Sequence, residues 1–347
     1  MDMMADIKSL FLSEIEQEVA KLGEKPFRAK QIYAWLHGEH AISFAEMSNI
    51  SKSFREILSQ SFDISELKIV DKLKSSKDGT VKYLFDIGKE TIIESVFMPY
   101  SFGNSVCISS QAGCRMGCKF CASTVGGLDR NLTAGEMLEQ IYSIKRDTLQ
   151  RVSNVVIMGC GEPLDNYDHV LRFIKLLSSG EEGSIGQRNI TLSTCGLVPE
   201  IYKLAKERLQ ITLAISLHAP NDAVRKKIMP ISNKYSMEDV LKASEFYFNH
   251  TKRRITYEYA LIKGVNDKQD HAVELASKLA NKKCHINLIP ANSIKAQDYN
   301  KSSNKSVEEF SKILKKYKIE TTTRRELGSD INAACGQLRK TYIERGV

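Results

Sequence analysis

The sequence predicts an α/β protein, a partial (β/α)6 barrel preceded by a small helical domain and a short antiparallel β segment. From residue 104 onward, six apolar strand-like runs alternate with helix-like stretches, the pattern of parallel strands joined by helical crossovers. Between 66 and 98, apolar residues recur at every second position instead. Before 66 they recur at helical spacing. A flat doubly wound sheet shares the first of these patterns and is the competing architecture.

Residues 1–65 read as a helical accessory domain. Met1 to Leu22 mixes Asp6, Lys8, Glu14, Glu16 and Glu18 with scattered apolar residues, which predicts an amphipathic helix and not a signal peptide. Pro26 suits the first turn of a second helix, on which Phe27, Ile32, Trp35 and Leu36 fall near one face. Residues 66–103 form a β extension. There Leu67, Ile69, Val81, Tyr83, Phe85, Ile87, Ile92, Val96 and Met98 alternate with polar residues, and Lys77-Asp78-Gly79 signals a turn. Residues 104–347 carry the barrel and a C-terminal loop. Strands are expected near 105–110, 153–158, 188–193, 210–216, 254–260 and 284–289. Helices are expected near 134–149, 167–178, 198–207, 236–249, 269–280 and 305–317.

The 347 residues are 42% apolar and 27% charged, the balance of an ordinary globular chain. No apolar run approaches the roughly 20 residues of a membrane span, so no membrane partner is expected. Eight cysteines without a signal peptide point to a reducing, cytoplasmic setting with free or metal-bound thiols. The net charge of +8 is unevenly spread: residues 1–100 carry −3 and residues 101–347 carry +11. That excess suits a polyanionic partner such as RNA, or equally a basic surface with no partner.

The chemistry begins at Cys114, Cys118 and Cys121, spaced C-x3-C-x2-C, with Phe120 before the last cysteine. A structural zinc site needs four protein ligands. An iron–sulfur cubane is normally held by four thiolates. Three thiolates can hold three irons and leave the fourth open to a small molecule. The other reading is half of a zinc site completed by a distant Cys or His, although no second paired group follows downstream. Further polar and glycine-bearing clusters fall where the strands end, which in barrels is where chemistry sits. They are Ser109-Ser110-Gln111-Ala112-Gly113, Gly159-Cys160-Gly161-Glu162-Pro163, Ser193-Thr194-Cys195-Gly196, Ser216-Leu217-His218-Ala219-Pro220 and Pro290-Ala291-Asn292. Cys335 stands alone in a Gly/Asp/Asn-bearing tail, either as a packed small residue or as a reactive one.

Together these segments resemble the RlmN/Cfr family of radical S-adenosylmethionine (SAM) RNA-adenine methyltransferases. The resemblance rests on Lys25-Pro26-Phe27-Arg28-Ala29-Lys30-Gln31-Ile32, Ser109-Ser110-Gln111-Ala112-Gly113-Cys114, Gly161-Glu162-Pro163-Leu164, Ser216-Leu217-His218, Asn287-Leu288-Ile289-Pro290 and Ala334-Cys335-Gly336-Gln337-Leu338-Arg339. It implies a radical SAM barrel whose Cys114, Cys118 and Cys121 ligate a 4Fe–4S cluster. It implies a SAM pocket made by Gly161, Glu162, Ser193, Ser216, Leu217, His218 and Asn292. Cys335 matches the family's S-methylated cysteine, Cys107 its resolving thiol and Glu94 its proton acceptor. Cys160 and Cys195 depart from the common pattern and read as packing. His218 also reads as a satisfied structural histidine.

The implied reaction methylates carbon 2 of one adenine in 23S rRNA, in the peptidyl-transferase region, and of the adenine 3′ to the anticodon in tRNA. Carbon 2 is electron-poor and does not attack the methyl of SAM, whereas a thiolate does. Cys335 would carry the methyl group, and a radical made from a second SAM would activate it for addition to the ring. Glu94, or Cys107 as thiolate, would take the ring proton, and Cys107 would free the product by forming a disulfide with Cys335. A reductant such as flavodoxin or ferredoxin would supply the electron. The nearest alternative is Cfr-type methylation of carbon 8, which confers ribosomal antibiotic resistance. Pro163 and the run Ile289-Pro290-Ala291-Asn292 resemble the RlmN side. A more remote alternative is a non-catalytic metal-containing RNA-binding protein.

Overall fold

The computed structural model describes residues 4–88, 91–181, 183–290 and 299–333. A ten-stranded sheet organises them. It runs from Glu320–Thr323 through Cys284–Pro290, Ile255–Leu261, Thr212–Ser216, Ile190–Thr194, Val152–Ile157 and Asn104–Ile108 to Ile92–Met98, Val81–Asp86 and Lys68–Lys74. The first seven are mutually parallel and the last three are antiparallel. Their order follows the chain without reversal. Right-handed crossovers then put the helices on one face, and the sheet curls into a partial barrel. A doubly wound sheet would reverse its order and cover both faces.

Six helices lie within a residue or two of their expected places: Ala134–Thr148, Tyr167–Leu177, Val198–Lys206, Met237–Thr251, Gln269–Leu279 and Asn304–Lys316. Caps explain the sharpest starts. Thr133 and Ser236 accept from the amides of Glu136 and Asp239 (both 3.1 Å), whose carboxylates accept from the cap amides in return. Two further elements of the barrel lacked a sequence signal. Glu320–Thr323 is a seventh parallel strand whose Glu-Thr-Thr-Thr shows no apolar alternation and buries only Thr321. Asp222–Ile228 is a short helix capped by the Asn221 side chain.

The β extension is not a separate small sheet but a continuation of the barrel sheet. Its central strands are buried on both faces. Tyr83, Phe85, Ile93 and Phe97 join the main core. Val96 and Met98 pack with Cys107, Leu327 and Ala333 on the other side. The C-terminal segment thus lies against this extension.

The N-terminal helix is shorter than its polarity pattern suggests. The chain forms a strand at Ala5–Asp6, a turn at Ile7–Ser9 and a helix at Leu12–Lys21. The Asp6 carboxylate holds the extended start by accepting from the amides of Lys8 (3.2 Å) and Ser65 (3.0 Å). Lys8 is buried, its ammonium on Glu139 (2.5 Å) and the Ser65 carbonyl (2.7 Å). Phe27 does not share the buried face of its helix. It is 50% exposed, with the Arg28 guanidinium 4.8 Å from its ring centre. A π turn at Ala34–Gly38 keeps Leu36 inside and leaves Trp35 half-buried, its indole N–H on Asn49 (2.7 Å).

The accessory domain docks on helix Ala134–Thr148 through His37, His40 and Tyr142. The Tyr142 hydroxyl lies 3.0 Å from His37 Nδ1, and the His40 ring stacks on Tyr142 at 4.1 Å. Burial, reinforced by nearby lysines, lowers both imidazoles to about 3. Both are neutral in the folded protein but bind protons near pH 6.5 once unfolded. Stability is therefore complete above pH 6.5 and falls with pH from there down to about 3. The slope is at most about 1.4 kcal/mol per pH unit for each ring. Urea unfolding at pH 7.5 and 5.5 should show this loss, and His40→Phe should lessen it. A midpoint equally pH-sensitive in wild type and variant would contradict the assignment.

Candidate active site

The first barrel strand ends at Ile108, and the chain enters a two-stranded ribbon, Gln111–Gly113 with Leu128–Asn131. The cysteine loop spans its ends. The Cys114 amide donates to the Gly127 carbonyl (2.8 Å) and the Cys121 amide to the Cys118 carbonyl (3.1 Å). The Thr124 hydroxyl donates to the carbonyls of Cys118 (3.2 Å) and Cys121 (2.9 Å). The Lys119 amide fastens the loop to Ile228, at the end of the short helix (2.9 Å).

These thiols face a cleft with about 730 Å³ of space, counting its open mouth. Gly161, Glu162, Ser193, Ser216 and His218 line it with them, along with Cys195, Glu258 and Arg324. Gly161 has φ +108°, and a Cβ there would fall 2.7 Å from Gln111 Cβ. Only glycine fits that turn. Glu162 is buried, its carboxylate accepting from the amides of Leu164 (3.1 Å) and Cys195 (2.7 Å). Desolvation raises its pKa. His218 sits at φ +53°, its Nδ1 accepting from the Ala260 amide (2.9 Å) and its ring edge-on to Phe120. Burial lowers it to about 3, so the ring is neutral.

The thiols fit an iron–sulfur cluster. Burial, then the neighbouring Glu162, Cys121 and Cys160, pushes Cys114 up to about 12. Cys118 is raised well above its ordinary value, first by desolvation and then by Cys121 and Cys114. Such an array is deprotonated only when bound metal supplies positive charge. Among the described residues no three His, Cys, Asp or Glu side chains close on a single ion.

Sheet register carries the same concave surface to a second group. Lys82 lies opposite Val96, Val96 opposite Cys107, Cys107 opposite Val156, Val156 opposite Thr191 and Thr191 opposite Thr212. Side chains alternate along each strand. Glu94, Lys82 and Cys107 therefore face the side that Ser193 and Ser216 face. Glu94 and Cys107 are both buried there and do not themselves line the cleft. The Ser109 hydroxyl ties these regions, donating to the Glu94 carbonyl (2.6 Å) and accepting from the Cys160 amide (2.9 Å).

The structure thus gathers Cys114, Cys118, Cys121, Gly161, Glu162, Ser193, Ser216 and His218 on one cleft. Leu217 does not line it. Its side chain is in the main core, and its carbonyl accepts from Arg225 (3.3 Å). Cys195 is buried in an apolar cluster with Cys118, Ile228 and Met229, and also lines the cleft beside Glu162. Asn292 and Cys335 lie outside the described residues. Sequence reasoning missed Glu258, and it read Arg324 as a phosphate-contacting arginine of the tail and not as a residue of this cleft. Glu258 accepts from Asn287 (2.9 Å), and desolvation raises it to about 7 against the opposing pull of Arg324 and Asn287. A signal existed: parallel strands covered on both faces read as continuous apolar runs. Thr191, Ser193, Thr212, Ser216, Glu258 and Asn287 break that pattern at alternate positions.

Residues 108–276 match the radical SAM superfamily, and residues 5–64 match the ribosomal RNA large subunit methyltransferase N-terminal domain. A relative in Lachnoclostridium phytofermentans, named a probable dual-specificity RNA methyltransferase RlmN, is 53% identical, covering 98% of this chain and 96% of that one. Its namesake in Clostridium novyi is 54% identical, over 98% and 99%.

The chain belongs to the RlmN family.

The crystal structure of a radical SAM methyltransferase from Sphaerobacter thermophilus, 39% identical, superposes with a TM-score of 0.91 over 96% of this chain and 98% of that one. As a radical SAM enzyme of the RlmN family, the protein takes a 4Fe–4S cluster and SAM as cofactors. The open end of the thiol array and the polar strand ends of the cleft are where such groups fit.

Proposed function

We propose that this RlmN-family enzyme methylates carbon 2 of a specific adenine in the peptidyl-transferase region of 23S rRNA and of the adenine 3′ to the anticodon in tRNA. The observation that carries this reading is the shared concave face. It sets Glu94 and Cys107 on the surface whose strand ends build the cysteine-lined cleft. The names of the curated relatives support RNA as substrate. The +11 charge of residues 101–347 supports a phosphate backbone as partner.

In this reading Cys114, Cys118 and Cys121 hold the cluster. Gly161, Glu162, Ser193, Ser216, His218 and Asn292 hold SAM, while Leu217 packs behind them in the core. When bound, these groups supply a methyl donor and a one-electron cleavage that makes a carbon-centred radical. The chain's own residues do the rest. Cys335 carries the transferred carbon on its sulfur, and Glu94 accepts the ring proton. Cys107 attacks the Cys335 sulfur. A disulfide forms, the sulfur–carbon bond breaks with its electrons to carbon, and a proton completes the product methyl group. A flavodoxin- or ferredoxin-type reductant supplies electrons.

Among the described residues no helix is long and apolar enough to cross a membrane. The proposed setting is the cytoplasm, where both RNAs reside. Incubation with tRNA and protein-free rRNA, followed by nuclease mapping and mass spectrometry, should yield 2-methyladenosine. Exclusive 8-methyladenosine would transfer the protein to the Cfr-type reading.

A further inference from the structure

Lys82 lies within the strand Val81–Asp86, in the middle of the antiparallel extension. Its side chain is 1% exposed and that of Glu94 is 3% exposed. The ammonium stands 3.6 Å from a Glu94 carboxylate oxygen and 3.4 Å from the carbonyl oxygen of Asn332. A buried ammonium is strongly unfavourable unless partners compensate it. Here one partner is the carboxylate proposed to take the ring proton. The other belongs to the segment that leads, three residues on, to Cys335.

The same strip of sheet grips that segment at further points. The Ser75 hydroxyl and Ser76 amide donate to the Asp330 carboxylate (2.7 and 3.0 Å). The Gly328 amide donates to Asp78 (2.9 Å). Leu327 and Ala333 pack with Val96, Met98 and Cys107. The Ser76 contact to Asp330 is exposed, and neither of these Asp330 contacts pairs it with a buried cation. Lys82 supplies the desolvated, charged contact that joins the segment to Glu94.

We propose that Lys82 is a positioning residue of this reaction, its ammonium fixing the Glu94 carboxylate and the Cys335-bearing segment against one another. The proposal rests on the roles of Glu94 and Cys335 given above. Lys82 makes and breaks no bond. It acts on the step that needs both partners in register, removal of the ring proton from the covalent protein–RNA adduct. Methylation of Cys335 needs no base and depends on Lys82 far less.

The test uses full-length, cluster-reconstituted Lys82→Met and Lys82→Arg proteins. Methyl on Cys335 is measured by peptide mass after SAM alone. Decay of the RNA adduct is measured in a single turnover, and amide exchange of Leu327–Ala333 in the resting protein. In Lys82→Met, adduct decay should slow at least about tenfold more than Cys335 methylation, exchange of the segment should rise, and Lys82→Arg should restore both. Equal loss of both steps would reduce Lys82 to a fold-stabilising pair, and unchanged decay with unchanged exchange would remove it altogether. If wild-type protein gains no methyl on Cys335, the functional reading fails instead. The exchange measurement then decides the Lys82 tie by itself.

Discussion

Cys335→Ala should abolish RNA methylation while leaving iron, sulfide and SAM binding at wild-type levels. The cluster ligands sit on the loop Cys114–Cys121, held by Gly127, Thr124 and Ile228, and none of those contacts involves the tail. Reductive SAM cleavage should therefore persist. Product should fall at least about a thousandfold, the scale on which loss of a covalent nucleophile is felt. Iron content, 5′-deoxyadenosine release and methylated adenosine can be measured on one preparation. Methylation above a tenth of wild type would eliminate the S-methylcysteine route.

Cys107→Ala should stop the enzyme after one round and leave RNA covalently attached to it. Cys107 is buried between Val96 and Val156 in register, on the face that also carries Glu94. Removing one sulfur there leaves a small cavity at a cost of about 1 kcal/mol, which the fold tolerates. The earlier steps do not use this thiol, so the adduct should form and then persist, because nothing attacks the Cys335 sulfur. A labelled RNA running with the protein on a denaturing gel would report it. Multiple turnovers without adduct would show that another group resolves the intermediate. Cys160, Cys195 and Cys284 are the other described thiols outside the cluster loop, and each is buried.

Elements written in local periodicity were legible in the sequence. The six helices from Ala134 to Lys316 fell close to their expected bounds because apolar spacing and caps such as Thr133 and Ser236 are local properties. Phe27 and the seventh strand were not legible. Phe27 has helical spacing but no neighbour to bury it, and Glu320–Thr323 is a strand only because Cys284–Pro290 offers an edge.

Spacing by itself determined that three thiols share a loop and which family these motifs resemble. Such features rest on residues adjacent in the chain, where covalent geometry settles the distance. Tertiary structure alone decided that Glu94, Cys107 and Lys82 face the side of the sheet that Ser193 and Ser216 face, and that Asn332 reaches Lys82 across 250 residues. Strand register and burial depend on long-range pairing, and a shift of one residue would turn every one of those side chains outward.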